Sequence, residues 1–111
     1  MKKSEIKFEI DLDEKNIPEK IYWDATDSPS GKLTETKALS VSLWDPKQKN
    51  TMRIDLWAKD MTVDEMKQFC IETLGGMADT IKNSTGDEVM SDEIKSLCTK
   101  LVKHVQEESK K

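Results

Sequence analysis

The sequence has few of the side chains from which catalytic and metal sites are usually built. It contains one histidine, His104, and two isolated cysteines, Cys70 and Cys98. A zinc site of the common CxxC type needs more ligands than these at closer spacing. The sequence also lacks a glycine-rich phosphate loop, a Gly-x-Ser-x-Gly motif and a His-Glu-x-x-His motif. We therefore expect no enzymatic activity, no metal ion and no cofactor.

Long apolar runs and an excess of positive charge are missing as well. No segment approaches the ~20 apolar residues of a membrane-spanning helix. The lysines at positions 2 and 3 are not followed by an apolar run, so we expect no cleaved signal peptide and a cytoplasmic protein. The formal net charge is −4, whereas phosphate binding needs a concentrated basic face. This charge argues against a nucleic-acid partner.

Length and cysteine content set further bounds. A chain of 111 residues is the size of one domain, and we expect residues 1–111 to form a single one. Cys70 and Cys98 both fall on apolar helical stripes. They are interpreted as two buried, reduced thiols, with a disulfide between the two helices as the alternative. A cytoplasmic setting favours the reduced thiols.

Alternating polarity predicts four strands, at residues 6–12, 21–24, 38–44 and 52–57. The last two are separated by a turn at residues 45–50 and form a predicted antiparallel hairpin. Pro18 is expected before the second strand or on a sheet edge, because it donates no backbone hydrogen bond. Residues 25–36 are rich in Ser, Pro, Gly and Asp. They are predicted to be a polar, mobile loop, either a solvated connector or a binding loop.

The first helix has a clear start signal. Thr62 as N-cap and Glu65 three residues later form a predicted capping box. Apolar residues then recur with a period of about 3.6 from Val63 to Ile81. The glycine pair at positions 75 and 76 lies inside this helix. It permits either close approach of another element or a kink, and we favour close approach.

A second helix is predicted from near Ser91 to about Gln106, again with one apolar face. The element order is therefore β-β-β-β-α-α. It predicts an α+β fold in which a four-stranded antiparallel meander carries two α-helices packed on one face.

The three tryptophans are the most informative aromatic residues. Trp23 has the same phase as Ile21 and is expected in the core. Trp44 and Trp57 each follow an apolar residue that faces inward, so both are expected on the opposite face of the sheet.

The hairpin register decides whether these two indoles meet. If Leu43 faces Met52, then Trp44 lies opposite Thr51 and Trp57 lies opposite Ala38. The indoles are then on the order of 20 Å apart, at opposite ends of the ribbon.

Between the two indoles the same face carries small and oppositely charged side chains. Because tryptophan is enriched in binding hot spots, this face is our candidate partner-binding site. Its residues are Ser40, Ser42, Trp44, Arg53, Asp55 and Trp57. The alternative is that each indole is covered by the loop at residues 25–36 or by the N-terminal arm.

Three segments of the sequence carry a family resemblance: residues 15–23 (KNIPEKIYW), 38–45 (ALSVSLWD) and 54–66 (IDLWAKDMTVDEM). They resemble the GldC family, gliding-motility accessory proteins of gliding bacteria. The resemblance implies a small soluble protein that assists gliding across surfaces. It also implies a helper of the envelope lipoprotein GldB with no assigned enzymatic activity.

We therefore expect a cytoplasmic, non-enzymatic protein-interaction module that supports components of the gliding machinery. Two alternatives stay open. One is a binder of a small molecule or metabolite, which would need a pocket of about 300 Å³ between helices and sheet. The other is a homodimer in which outer sheet faces or an edge strand pair about a two-fold axis.

Overall fold

The computed structural model describes residues 2–27 and 32–110 of the chain. The chain divides into two compact units, Met1–Met61 and Thr62–Lys111. The described residues of the first unit form five strands and those of the second form two helices, which confirms the α+β class. The strands are β1 (Ile6–Leu12), β2 (Pro18–Ala25), β3 (Thr34–Thr36), β4 (Ala38–Asp45) and β5 (Asn50–Trp57).

The predicted single four-stranded meander is wrong, because the described strands form two antiparallel sheets. One has the order β1-β2-β3 and the other consists of β4 and β5. The additional strand, β3, pairs with β2 and lies inside the predicted loop. Its sequence, Thr34-Glu35-Thr36, has no apolar alternation and so gave no strand signal. A bend at Lys37 separates β3 from β4, and residues 28–31 of the predicted loop lie outside the described residues.

The β1–β2 connection is held by Asp13. Its Oδ1 atom accepts hydrogen bonds from the backbone N–H groups of Lys15 (2.8 Å) and Ile17 (3.0 Å). Asn16 takes a left-handed backbone conformation with φ 63°, which asparagine tolerates better than most residues. Pro18 is the first residue of β2, a position at which the lack of a backbone N–H donor is tolerated in a sheet.

The core of the strand unit is small. Ile21 is fully buried, and Ile10 lies opposite it on the neighbouring strand. Trp23, predicted to be core, is only half-buried.

The β4–β5 hairpin has the register predicted from its polarity. Leu39 pairs with Leu56, Val41 with Ile54 and Leu43 with Met52. Leu39 is buried at 8% exposure, as expected for its apolar face. Farther along the same face the prediction of an inward position fails. Leu43, Met52 and Ile54 are 51%, 58% and 44% exposed.

The first helix, α1 (Val63–Thr85), begins with the predicted capping box. The Glu65 N–H donates to Thr62 Oγ1 (3.1 Å), and the Thr62 N–H donates to Glu65 Oε1 (3.0 Å). These two bonds satisfy backbone donors that a helix start otherwise leaves without partners. Gly86 caps the other end of α1 in a left-handed conformation, and its N–H donates a hydrogen bond to the Lys82 carbonyl.

The two internal glycines of α1 do not serve close packing. A Cβ atom built at Gly75 or Gly76 meets nothing within 4 Å in the part of the chain that the structure describes. The preference for close approach is therefore wrong. The helix runs through both positions from Val63 to Thr85.

The second helix, α2 (Glu88–Ser109), starts earlier and ends later than predicted. Asp87 is its N-cap and accepts a hydrogen bond from the Met90 N–H at 3.0 Å. The predicted start, Ser91, lies within the helix and is 1% exposed. Within residues 2–27 and 32–110, no helix combines the length and apolar character needed to cross a bilayer.

Candidate protein-binding face

The candidate site lies on one face of the β4–β5 hairpin, called here the outer face. It consists of Ser40, Ser42, Trp44, Arg53, Asp55 and Trp57, all of one parity along the two strands. The register sets Ser40 opposite Asp55 and Ser42 opposite Arg53. Side chains directly opposite on one face lie close enough to interact. The hairpin therefore brings the four polar members of the predicted site together.

These four polar side chains form one hydrogen-bond network. Arg53 binds the Asp55 carboxylate through two nitrogens, with Nη2 at 2.9 Å from Oδ1 and Nε at 3.2 Å from Oδ2. Arg53 also donates to Ser40 Oγ (2.9 Å) and Ser42 Oγ (3.3 Å), and Ser40 Oγ donates to Asp55 Oδ1 (2.6 Å). A paired guanidinium and carboxylate of this kind holds a defined geometry. The hydrogen bonds therefore hold these four side chains in one arrangement.

The electrostatics of the network follow from these contacts. The hydrogen bonds from Arg53 and, second, from Ser40 lower the pKa of the Asp55 carboxyl group below its ordinary value. Asp55 is therefore ionised at neutral pH and compensates the charge of Arg53. The side chains of Arg53 and Asp55 are 54% and 42% exposed, so solvent screens the pair. The arrangement orients the four side chains relative to one another.

The two indoles flank the network at the positions predicted from the register. Trp44 pairs with Thr51 at the turn end, and Trp57 pairs with Ala38 at the opposite end. Their separation along the ribbon is six residues, roughly 20 Å at ~3.3 Å per residue. Trp44 is 65% exposed and Trp57 is 51% exposed. Neither indole is enclosed by the described part of the chain, which counts against the alternative of intramolecular cover.

A groove beside Trp57 extends the candidate site to residues that the sequence did not indicate. The groove has a volume of about 410 Å³, and Ile17, Pro18 and Lys59 help to line it. The Lys59 N–H donates to the Pro18 carbonyl at 3.0 Å and so joins the end of β5 to the start of β2. Ile17 is 44% exposed. This backbone contact between distant segments has no signal in the local sequence pattern.

The two cysteines and the single histidine of the sequence lie on α1 and α2. Cys70 and Cys98 carry unlinked thiols, as predicted, but Cys70 is exposed and Cys98 is half-buried. The predicted burial of Cys70 is therefore wrong. The His104 side chain is 67% exposed and lies 3.4 Å from Glu108. Over the described ranges, no group of three or more His, Cys, Asp or Glu residues is placed to hold a metal ion.

Comparison with known families decides the affiliation of the chain. The family model described as "Gliding motility-associated protein GldC-like" matches residues 18–107. The chain belongs to the GldC-like family. The match covers most of the chain, including β2 to β5, α1 and nearly all of α2. No curated protein and no solved structure matches the chain. The GldC-like affiliation makes this a gliding-motility-associated protein.

Proposed function

We propose that this GldC-like protein is a cytoplasmic, non-enzymatic interaction module that supports components of the gliding machinery. The outer face is its docking surface for a protein partner. One observation carries the proposal. Two exposed tryptophans, Trp44 and Trp57, flank a polar network whose geometry is already fixed by hydrogen bonds.

The indoles supply the binding energy in this proposal. Tryptophan side chains bring a large apolar area with few rotatable bonds, so covering them gains free energy at a modest entropic cost. Exposure of 65% and 51% leaves much of each ring available to a partner. Two such anchors at opposite ends of a ribbon fit an extended protein surface better than a small ligand.

The polar centre supplies orientation. Because Arg53 and Asp55 satisfy one another, a partner does not have to desolvate a lone charge when it covers them. Their existing order also reduces the side-chain entropy lost on binding. Ser40 and Ser42 keep the centre shallow. A partner strand or loop can therefore lie between the indoles.

The family resemblance makes the lipoprotein GldB the first partner to test. We expect Trp44→Ala and Trp57→Ala each to weaken partner binding by roughly tenfold or more, because hot-spot truncations cost about 2 kcal/mol. The measurement is quantitative capture from the native cell, followed by titration of the captured partner with purified protein. Both variants should keep the melting temperature within a few degrees, since both rings are exposed.

Met52→Ala is the matched control. Met52 is 58% exposed on the same hairpin but lies on the opposite face. It should leave partner affinity unchanged. Equal capture by wild type and the Trp44→Ala/Trp57→Ala variant would contradict the proposal. A large loss of stability on Trp57→Ala would instead assign the ring to the core.

A further inference from the structure

The two residues that follow Trp57 join the end of β5 to two other segments of the strand unit. The Ala58 N–H donates to the carbonyl of Lys37, just before β4, at 2.8 Å. The next N–H, that of Lys59, donates to the carbonyl of Pro18 at 3.0 Å, and Pro18 belongs to β2. Ala58 is fully buried. The chain that leaves the indole is therefore attached to both sheets.

The side chain of Lys59 reinforces the contact with β2. Its Nζ atom lies 3.2 Å from Asp13 Oδ2 and 3.5 Å from Glu19 Oε1. Asp13 holds the β1–β2 turn and Glu19 lies in β2, so both carboxylates belong to the three-stranded sheet. Lys59 thus joins the end of the hairpin to the neighbouring sheet through its backbone and through its ammonium group.

Asp13 is a fixed and charged partner for this ammonium group. Its Oδ1 atom accepts the N–H groups of Lys15 and Ile17, and its Oδ2 atom accepts a hydrogen bond from Lys59. The Asp13 side chain is 18% exposed, against 46% for Lys59. The hydrogen bonds, that of Ile17 first, lower the pKa of the Asp13 carboxyl group. Asp13 is therefore ionised at neutral pH and held in place by its own turn.

The groove beside Trp57 lies between the two sheets that Lys59 joins. Ile17 and Pro18 line one side, at the start of β2, and Leu56 and Trp57 line the other, at the end of β5. Among the described strands, β2 and β5 belong to separate sheets, so strand pairing does not set the distance between the two sides. The contacts of Lys59 run from one side of the groove to the other.

We propose that Lys59 is the positioning residue of the Trp57 indole. Its contacts with Pro18, Asp13 and Glu19 hold the start of β2 at one distance from the end of β5 and so fix the groove that the indole borders. The exposed ion pairs add little to the free energy of unfolding, because solvent screens them. Their contribution is geometric, since a side chain that is already in place loses less entropy when a partner covers it. The consequence for a partner rests on the proposed docking at Trp57.

Trp44 provides an internal comparison, since its end of the hairpin is held by contacts within the β4–β5 turn. Asp45 Oδ1 accepts hydrogen bonds from the N–H groups of Lys47 (2.8 Å) and Gln48 (3.2 Å). Neither contact involves β2 or Lys59. A change at Lys59 should therefore leave the surroundings of this second indole unchanged.

Fluorine NMR of protein labelled with 5-fluorotryptophan reads each indole in the absence of a partner. The signals are assigned by substituting each tryptophan with phenylalanine in turn. Lys59→Met removes the ammonium group, and it should shift the Trp57 signal because the side chain no longer holds the start of β2 beside the ring. Lys59→Arg keeps a cation that can reach both carboxylates and should restore the wild-type signal. The Trp44 signal should stay at its wild-type position in both variants.

Asp13→Asn tests the carboxylate partner of Lys59 separately. The side-chain oxygen of asparagine can still accept the hydrogen bonds from Lys15 and Ile17, so the turn is kept. The charge that binds the ammonium group is lost. The Trp57 signal should therefore move as it does in Lys59→Met, and combining the two substitutions should produce no further shift.

Lys47→Met is the matched control, because Lys47 is an exposed lysine in the turn at the far end of the hairpin. It removes the same charge and should leave the Trp57 signal unchanged. An unchanged Trp57 signal in Lys59→Met overturns the proposal. Equal shifts of the Trp44 and Trp57 signals also overturn it, because they would show a general change of the hairpin.

Partner titration distinguishes the role of Lys59 from the docking itself. The titration that tests Trp57→Ala, carried out with Lys59→Met, should show an affinity lowered several-fold, with Lys59→Arg close to wild type. A shifted Trp57 signal in Lys59→Met together with wild-type affinity in Trp57→Ala would support the positioning and contradict the docking. An unchanged Trp57 signal in Lys59→Met together with lost affinity in Trp57→Ala would refute the positioning and leave the docking intact.

Discussion

At the scale of single residues, the Arg53–Asp55 pair makes a direct prediction about proton binding. Arg53 is the largest cause of the lowered pKa of Asp55. Removing the guanidinium with Arg53→Met should therefore raise that pKa toward the ordinary aspartate value. NMR titration of the side-chain carboxyl groups measures it. Asp60, whose pKa is lowered mainly by its hydrogen bond with Lys37, is the internal control and should not move.

The sign of the associated stability change follows from linkage. Because the folded-state pKa of Asp55 is lowered, its contribution to stability is present above the unfolded-state pKa. That contribution is lost as pH falls through the folded-state value. An unchanged Asp55 pKa in Arg53→Met would show that the two side chains do not interact in solution. The outer face would then lack the fixed centre on which the docking proposal relies.

At the scale of elements, the two internal glycines of α1, Gly75 and Gly76, can be tested by substitution. Both glycine positions have room for a Cβ atom and lie in regular helix. Gly75→Ala and Gly76→Ala should each stabilise the protein by about 1 kcal/mol, because alanine loses less backbone entropy in a helix. Urea unfolding monitored by circular dichroism measures the change.

Gly86→Ala is the control for these substitutions and should have the opposite sign. Gly86 caps α1 with φ 76°, a left-handed conformation that costs an L-residue roughly 1–2 kcal/mol. Destabilisation by Gly75→Ala or Gly76→Ala would mean that the small side chain is needed there.

The elements also show how far local pattern predicts structure in this chain. The hairpin register could be predicted because apolar and polar residues alternate cleanly on both strands and a one-residue slip would invert every side chain. The strand β3 could not be predicted, because Thr34-Glu35-Thr36 is polar and is defined as a strand only by its pairing with β2. The predicted start of α2 was wrong because Ser91 and the acidic residues after it resemble the start of a helix. The N-cap in the structure is Asp87.

The candidate site likewise has one part that local pattern predicts and one part that it does not. Its six predicted residues all lie on one hairpin, so alternation and register were sufficient to bring them together. The groove beside Trp57 depends on Ile17 and Pro18, which are about forty positions away in sequence. Contacts between distant segments leave no periodic signal, and no spacing rule predicts them.

At the scale of the whole molecule, the stabilising charge contacts of the strand unit predict how it responds to acid. Asp13, Asp55 and Asp60 have lowered pKa values, caused mainly by hydrogen bonds from Ile17, Arg53 and Lys37 respectively. All three lie in the unit Met1–Met61. Their contribution is present at neutral pH and is lost progressively below about pH 4, as each carboxylate binds a proton.

The three tryptophans of the chain lie in this same unit, so their fluorescence reports its unfolding. Between pH 6 and pH 3 we expect the fluorescence-detected melting temperature of the wild type to fall by a few degrees. The effect should be modest because Asp55 and Asp60 are exposed and solvent screens them. The variant Asp13→Asn/Asp55→Asn/Asp60→Asn should show a flatter pH dependence, since asparagine cannot bind the proton.

A charge-matched variant separates these contacts from general electrostatics. Asp92→Asn/Glu93→Gln/Glu107→Gln removes the same number of negative charges from exposed positions of α2. It should keep the pH dependence of the wild type, because none of the three residues belongs to the strand unit. If both triple variants flatten the curve equally, net charge sets the acid sensitivity. Selective flattening by the strand-unit variant would instead tie acid sensitivity to the contacts that fix the β1–β2 turn and the outer face.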